Sequence, residues 1–572
     1  MRGREWKGES SKTSIAMPQP LANPWASRAA EYDVVIIGSG YGGAITAARI
    51  AAADIQPKPR ICILERGMEW IPGSFPDEPF NAVQQFVSPF NPLGLYHFVQ
   101  QNEISVVQGS GLGGTSLVNA NVAIIPEDAV FDRDPWPDAI KMNVLRGYYQ
   151  KASTTLEISQ HPKGLNLLKV KALKKRADQV SDAGFELLKL AVNFTRDGVD
   201  ENGVERHPCI DCGDCVSGCN VRAKNTLYMN YLPIAKNHGA EIFTQVRVRY
   251  IEAIPGAGFE IHYERHTPQS PILETGSLRA RRTVVISAGS LGSTEVMLRS
   301  RVHGLPLPDS IGTRFSGNAD FFGIAYNSDQ QTDIMGFGNH LDDPVRSTVK
   351  AGPTIVGVIR YNRDKPLNQQ MIFEDLSLPR ASVEAVRRVL ALLPGTDTDN
   401  RPIIDWFDNL EELRRVTRDF QFDPQGALNH TMAYLVIAED NAGGKMSLKD
   451  DRLHIDWPGV GDLAIFAQMN REVLEHAKAL GAKFVGNPVW SFLQSHHLIT
   501  VHPLGGCPVG DSAATGVVDD LGRVFDGKGG RNQGLYIADG SIIPTALGVN
   551  PFLTISALCE RIAEHLVAEL RQ

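Results

Sequence analysis

No run of apolar residues in this chain approaches the roughly 20 needed to cross a bilayer as a helix. There is little excess charge of either sign. With 57 Lys and Arg against 65 Asp and Glu, the net charge is −8 over 572 residues, which makes no electrostatic case for nucleic acid or an anionic membrane. Cysteine is sparse, at seven residues, too few for a disulfide scaffold in a chain this long. Internal repeats and low-complexity tracts are missing too. The first residues, MRGREWKGESSKTSIAMPQPLANPW, lack the apolar centre of a secretion signal. The expectation is a flexible leader over 1–30, ordered only around Tyr32, on a soluble intracellular protein with at most transient membrane contact. What remains is a globular composition, 42% hydrophobic, long enough for more than one domain.

What is present begins with EYDVVIIGSGYGGAITAARI. Val34 to Ile37 reads as a strand buried on both faces, and it runs into Gly38, Gly40 and Gly43 at the spacing G-x-G-x-x-G. A helical stretch through Ala44, Ala47, Ala48 and Ile50 follows. In such a unit the first glycine makes the turn, the second admits a pyrophosphate, and the third lets helix and strand pack closely. A second strand, Arg60 to Leu64, ends in Glu65, 22 residues after Gly43, where an acid can hold a ribose hydroxyl pair. Together these point to a bound dinucleotide.

Met68 to Gln101 is loop-like and rich in proline, with Trp70, Phe75, Phe80, Phe86, Phe90, Tyr96 and Phe98. It reads equally as a lid over a binding site or as an arm packed on the core. A second glycine cluster, Gly109 to Gly114, precedes Asn119 and leaves backbone N–H groups free for a flat ligand. Residues 127 to 201 read as mainly helical, and the basic run Lys169 to Arg176 as a solvated helix face. Strand patterns resume from 239 to 283. Val284 to Gly289 then starts another strand–turn–helix unit, and Ala381 to Leu393 is an amphipathic helix suited to core packing.

The motifs GSGYGG with Glu65, GSGLGGTSLVNANV, VVISAGSLGSTEVMLRS, HPLGGCPVG, LYIADGSIIP and GVNPFLTISAL occur in this order from Tyr32 onward. In that order they resemble the glucose–methanol–choline (GMC) family of FAD-dependent oxidoreductases, especially its cholesterol-oxidase-like branch. The resemblance implies an α/β (overall α+β) fold. A Rossmann-like FAD-binding domain, at 31–126, 205–319 and 496–572, is interleaved with a substrate-binding domain at 127–204 and 320–495, built on a mainly antiparallel sheet with helices. It implies that Gly38, Gly40, Gly43 and Glu65 hold the adenosine half of FAD, with Tyr41 and Gly42 in the same loop. Gly109, Gly113, Gly114 and Asn119 would lie along the pyrophosphate and flavin. Ala288, Asp539, Gly540, Asn550, Pro551 and Phe552 complete the cofactor-binding set, the last three near the flavin ring.

The family's active-site histidine falls on His502, and the chemistry agrees. Taking hydride from an alcohol carbon requires the hydroxyl proton to leave and the oxygen's growing charge to be stabilised. Histidine can accept that proton near neutral pH, and the amide of Asn550 can donate a hydrogen bond to the same oxygen. Sterol oxidases of this branch that also move a double bond use a glutamate shortly before a strand. That strand corresponds to Ala433 to Ile437 here, and Ala427-Leu428-Asn429-His430 upstream carries no acid. The expectation is oxidation without isomerisation, with His430 as a substitute or a structural residue.

Cys209, Cys212, Cys215 and Cys219 have the spacing C-x2-C-x2-C-x3-C, which resembles the bacterial ferredoxin run. Three readings stay open: an iron–sulfur cluster passing electrons from the flavin, a structural zinc or disulfide pair, and free thiols. The favoured function is an oxidase that converts a bulky apolar, sterol- or steroid-like alcohol to its ketone or aldehyde, with O2 giving H2O2. Alternatives are a dehydrogenase serving another acceptor and a flavoprotein without alcohol turnover.

Overall fold

A computed structural model of the chain describes residues 20–572 apart from 79–80, 82–84, 182, 268–269, 339–348, 394, 399–404, 420–422 and 492–494. The β-branched segment Glu31–Ile37 forms the first strand, with Val34 to Ile37 almost wholly buried. It pairs in parallel with Ile61–Leu64 on one side and with the end of Ser270–Ile286 on the other. Glu241–Phe243 extends this parallel sheet past Ile61–Leu64, and Leu535 to Ile537 extends it past Val284 to Ile286. The long Ser270–Ile286 strand also turns back antiparallel onto Gly258–Thr267, which pairs with Val246–Ile254. Strands from the start, middle and end of the chain therefore share one sheet. Helix Tyr41–Ala52, with Ala44, Ala47, Ala48 and Ala51 buried, packs against the carboxy-terminal helix Phe552–Leu570.

A second sheet has six strands, all antiparallel, in the order Lys483–Val485, Phe321–Tyr326, Met432–Ala438, Met371–Leu376, Gly357–Tyr361 and Ala183–Leu187. Successive side chains alternate faces. Phe373 stacks on His476 of helix Ala464–Leu480, with ring centres 4.6 Å apart, so its neighbour Glu374 points to the opposite face. A small third sheet joins Tyr96–Val99, Ile104–Gly109 and Leu498–Thr500. Its strands end at Gly109 and just before His502, which brings the second glycine cluster and the histidine motif together.

Three expectations are corrected. Order begins before Tyr32: the Asn23 N–H donates to the Ile242 carbonyl at 2.7 Å, and Trp25 packs edge-on against Phe243 and Tyr263. Among the described residues of the 127–201 stretch the α-helices are Met142–Thr155 and Leu168–Ala177, with single 3-10 turns at Asp128–Val130 and Gly164–Asn166, and Ala183–Leu187 is an edge strand of the six-stranded sheet. The basic run is not simply a solvated face. Lys169 is fully buried, its Nζ 2.9 Å from Asp375 Oδ2 and donating to the Pro353 and Thr354 carbonyls, and Arg176 pairs with Glu472 at 2.6 Å. Those acids lie far away in sequence, so periodicity could not reveal them.

In the Met68 to Gln101 segment, Trp70 and Phe75 stack and pack on Leu95, Leu117 and Val118, while Phe86, Phe90 and Phe98 are exposed. Phe80 lies outside the described residues.

Candidate active site

Gly38 has φ +97°, and a Cβ there would meet the Ser287 carbonyl oxygen at 2.3 Å; at Gly42 it would lie 1.5 Å from the Ala538 oxygen. Both positions need glycine because two strands of the parallel sheet close on the turn. At Gly40 a Cβ would meet nothing within 4 Å, so this backbone faces open space at the amino end of a helix, the arrangement a pyrophosphate requires. Glu65 takes the Ser39 N–H at 3.1 Å and Ser39 Oγ at 2.6 Å on one oxygen, and the Gly67 N–H at 2.7 Å on the other. Ser39 Oγ accepts from the Gly113 N–H at 3.0 Å. The two glycine clusters are thus joined through one serine beside Glu65.

Around this cradle, Asn119 donates to the Tyr41 hydroxyl at 2.8 Å, and Tyr41 stacks on Phe552 with centroids 5.1 Å apart. Asp539 is buried and accepts from the Gly289 N–H, Ser293 Oγ and the Ser541 N–H. It orders the turn that follows Ala288, and burial raises its carboxyl above the usual range. Gly540 accepts from the Gly505 N–H at 3.0 Å, which ties the LYIADG turn to the histidine motif.

His502 lies two residues past the Leu498–Thr500 strand, its side chain 14% exposed. Its Nδ1 is 2.8 Å from Asp320 Oδ1, and among the described residues no hydrogen-bond partner faces its Nε2. Asn550 precedes the carboxy-terminal helix and donates from Nδ2 to Glu374 Oε2 at 3.2 Å. Asn550 Oδ1 and Glu374 Oε1 are buried without a hydrogen-bond partner among the described residues. Burial, reinforced by the charges of Asp375 and Asp320, pushes the Glu374 carboxyl up to about 8 against the hydrogen bond from Asn550. The charge of Asp320, the partner of His502, is thus one of the lesser causes of the raised Glu374 carboxyl.

Sequence reading missed Asp320 and Glu374. No acid stands upstream of Met432–Ala438, but the adjacent strand carries Glu374 beside Asn550, and the one available signal was a pair of acids inside the apolar segment MIFEDL. His430 is tied elsewhere, its Nδ1 near the Ser328 carbonyl at 3.0 Å and Arg415 at 3.3 Å.

All seven cysteines are free thiols, and among the described residues no group of three or more His, Cys, Asp or Glu side chains is arranged to hold a metal. Cys209, Cys212, Cys215 and Cys219 are among these free thiols, and no such ligand group is gathered around them among the described residues. Their loop is a structural strap. Buried Lys224, its amine lowered to about 8 by burial, donates to the carbonyls of Leu117, Asn119 and Cys215. Asp214 accepts from the Gly338 and Arg380 N–H groups at 2.7 and 2.6 Å.

Two family models, both described as GMC oxidoreductase, match residues 32–317 and 462–559. The chain belongs to the GMC oxidoreductase family. With that family comes its Rossmann-like FAD-binding fold. Among relatives of this GMC oxidoreductase, the cholesterol oxidase of Acinetobacter baumannii is 27% identical, covering 94% of this chain and 95% of that one. A cholesterol oxidase of Mycobacterium tuberculosis (strain ATCC 25618 / H37Rv) is 27% identical over 93% and 90%. The long-chain-alcohol oxidase FAO4B of Arabidopsis thaliana is 23% identical over 94% and 68%. A solved Aspergillus oryzae formate oxidase superposes with a TM-score of 0.61 at 15% identity, covering 94% of this chain and 98% of that one. A fungal aryl-alcohol oxidase gives 0.56 at 16%, over 95% and 100%.

Proposed function

We propose that this GMC oxidoreductase oxidises a bulky apolar alcohol of sterol or steroid type to its ketone or aldehyde, and that O2 is its electron acceptor. The observation that carries this reading is the buried Asn550–Glu374 pair, with an unpartnered oxygen on each residue, joined through the Asn318–Val549 hydrogen bond to the turn that carries Asp320, the partner of His502. Buried polar atoms rarely go without partners, and two together mark a place for a ligand. The resemblance to cholesterol oxidases over nearly the whole chain supports the substrate class.

The open backbone at Gly40, the Ser39–Glu65–Gly113 junction and the Tyr41–Phe552 stack suit FAD and would hold it. FAD, when bound, supplies a two-electron acceptor for the carbinol hydride and a donor to O2, which yields H2O2. His502 Nε2 takes the hydroxyl proton as the hydride leaves. Asn550 has two N–H groups, one given to Glu374, and the second stabilises the charge growing on the alcohol oxygen. The test is anaerobic bleaching of the FAD-loaded protein by a panel of sterols, steroids, long-chain and aromatic alcohols. Sterols or steroids are expected to bleach fastest, and oxygen consumption to exceed dye reduction. No bleaching by any alcohol would leave a flavoprotein without turnover, and dye reduction alone a dehydrogenase.

Glu374 favours a second reading, oxidation coupled to double-bond migration, because a carboxylate beside Asn550 can carry a proton between two carbons of an unsaturated ketone. Its carboxyl is proton-loaded below about pH 8. The fraction of conjugated enone in the product is therefore expected to rise between pH 6 and 9 and to vanish in Glu374→Gln while the ketone still forms. An enone yield unchanged in that variant would remove this reading.

A further inference from the structure

Asp320 stands just before strand Phe321–Tyr326, far in sequence from any family motif, yet its side chain is fully buried against His502. One oxygen faces His502 Nδ1 at 2.8 Å. The other accepts from the Val501 N–H at 2.8 Å, the His502 N–H at 3.1 Å and Thr500 Oγ1 at 2.9 Å. We propose that Asp320 is the positioning residue that fixes the tautomer of His502, holding the hydrogen on Nδ1 so that Nε2 is free to accept a proton. The inference rests on the reading of His502 as the base.

An ionised carboxylate has only acceptors, so the imidazole must be the donor at Nδ1. The two backbone N–H donors on the second oxygen prevent the carboxylate from turning away, with the one Thr500 hydroxyl hydrogen shared between this oxygen and the Gly317 carbonyl. The segment that carries it is held under strain. Asn318 and Ala319 have φ of +55° and +45°, a left-handed region that an alanine keeps only where the surroundings impose it. Asp440 imposes it, accepting from Ser316 Oγ at 2.8 Å, the Gly317 N–H at 2.9 Å and the Ala319 N–H at 3.0 Å.

The same turn also reaches the second candidate residue. Asn318 donates to the Val549 carbonyl at 2.8 Å and accepts from the Leu547 and Gly548 N–H groups at 2.8 and 3.1 Å. One five-residue segment thus sets the histidine directly and, through the preceding backbone, the position of Asn550.

Asp320→Asn tests this with little change of shape. The two backbone N–H donors at Oδ2 require the amide oxygen, so the amide NH2 faces Nδ1. Nδ1 must then accept, and the ring hydrogen moves to Nε2. The experiment records nitrogen NMR of FAD-loaded protein with 15N-labelled histidine rings, assigned by difference from His502→Gln, together with anaerobic flavin reduction by the best alcohol of the panel. Neutral His502 is expected to carry its hydrogen on Nδ1 in the wild type and on Nε2 in Asp320→Asn. Flavin reduction is expected to slow by about 10²–10⁴-fold, the usual worth of a general base, with FAD content retained.

Hydrogen on Nε2 in the wild type would overturn the proposal, and that spectrum decides even where the variant does not fold. A variant that keeps hydrogen on Nδ1, or reduces flavin within about threefold of wild type, overturns it equally. If His502→Gln reduces flavin at the wild-type rate, the base assignment fails, while the spectrum still reports on Asp320.

Discussion

Glu374 couples the stability of the protein to pH. Its folded carboxyl titrates at about 8 because it is buried, whereas an exposed glutamate titrates near 4.3. The folded state holds a proton that the unfolded chain releases. This contribution is fully present below the unfolded value and is lost as pH rises through about 8. Each unit of the displacement is worth about 1.4 kcal/mol. Glu374→Gln is expected to melt in urea at nearly the same concentration as wild type at pH 5 and at a higher one at pH 9. An equal difference at both pH values would contradict the assignment. At this scale the sequence was half legible. His502 and Asn550 stand inside dense local motifs, so their neighbours announce them. Asp320 and Glu374 act through contacts that span 182 and 176 residues, and nothing within a few residues of either signals the partner.

Among elements, the strand–turn–helix units were the most legible, because close packing leaves few residue choices there. Gly42 is the clearest case. With a Cβ 1.5 Å from the Ala538 oxygen, Gly42→Ala must push the carboxy-terminal turn away from the first helix. It is expected to cost about 1–3 kcal/mol and to lower the FAD content of purified protein, read from the flavin absorbance ratio. Wild-type FAD content would show that the turn yields more easily than its packing implies. Charged elements were less legible. The Leu168–Ala177 helix looks solvated in sequence because Asp375 and Glu472, which pair with two of its cations, come from later elements. The cysteine loop is a different case. Its spacing suggests ligands, while its fixed contacts are made by Asp214, Lys224 and backbone groups.

For the whole molecule, two sheets draw their strands alternately from the chain, and the candidate active site lies where they meet. The parallel sheet presents the glycine turns, the six-stranded sheet presents Glu374, and the small third sheet delivers His502. Motif order made the first of these legible. The pairing order of the six-stranded sheet was not, since its strands carry no motif and are separated by long insertions. Among the described residues no helix is long and apolar enough to cross a membrane.

The central claim is that His502 takes the proton of an apolar alcohol in a site completed by Asn550. Stopped-flow anaerobic flavin reduction in wild type and His502→Gln, both FAD-loaded and mixed with the fastest-bleaching sterol or steroid alcohol, measures it directly. A loss of about 10²–10⁴-fold in the reduction rate is expected, with the substrate concentration for half-saturation nearly unchanged. Reduction of His502→Gln at the wild-type rate would contradict it.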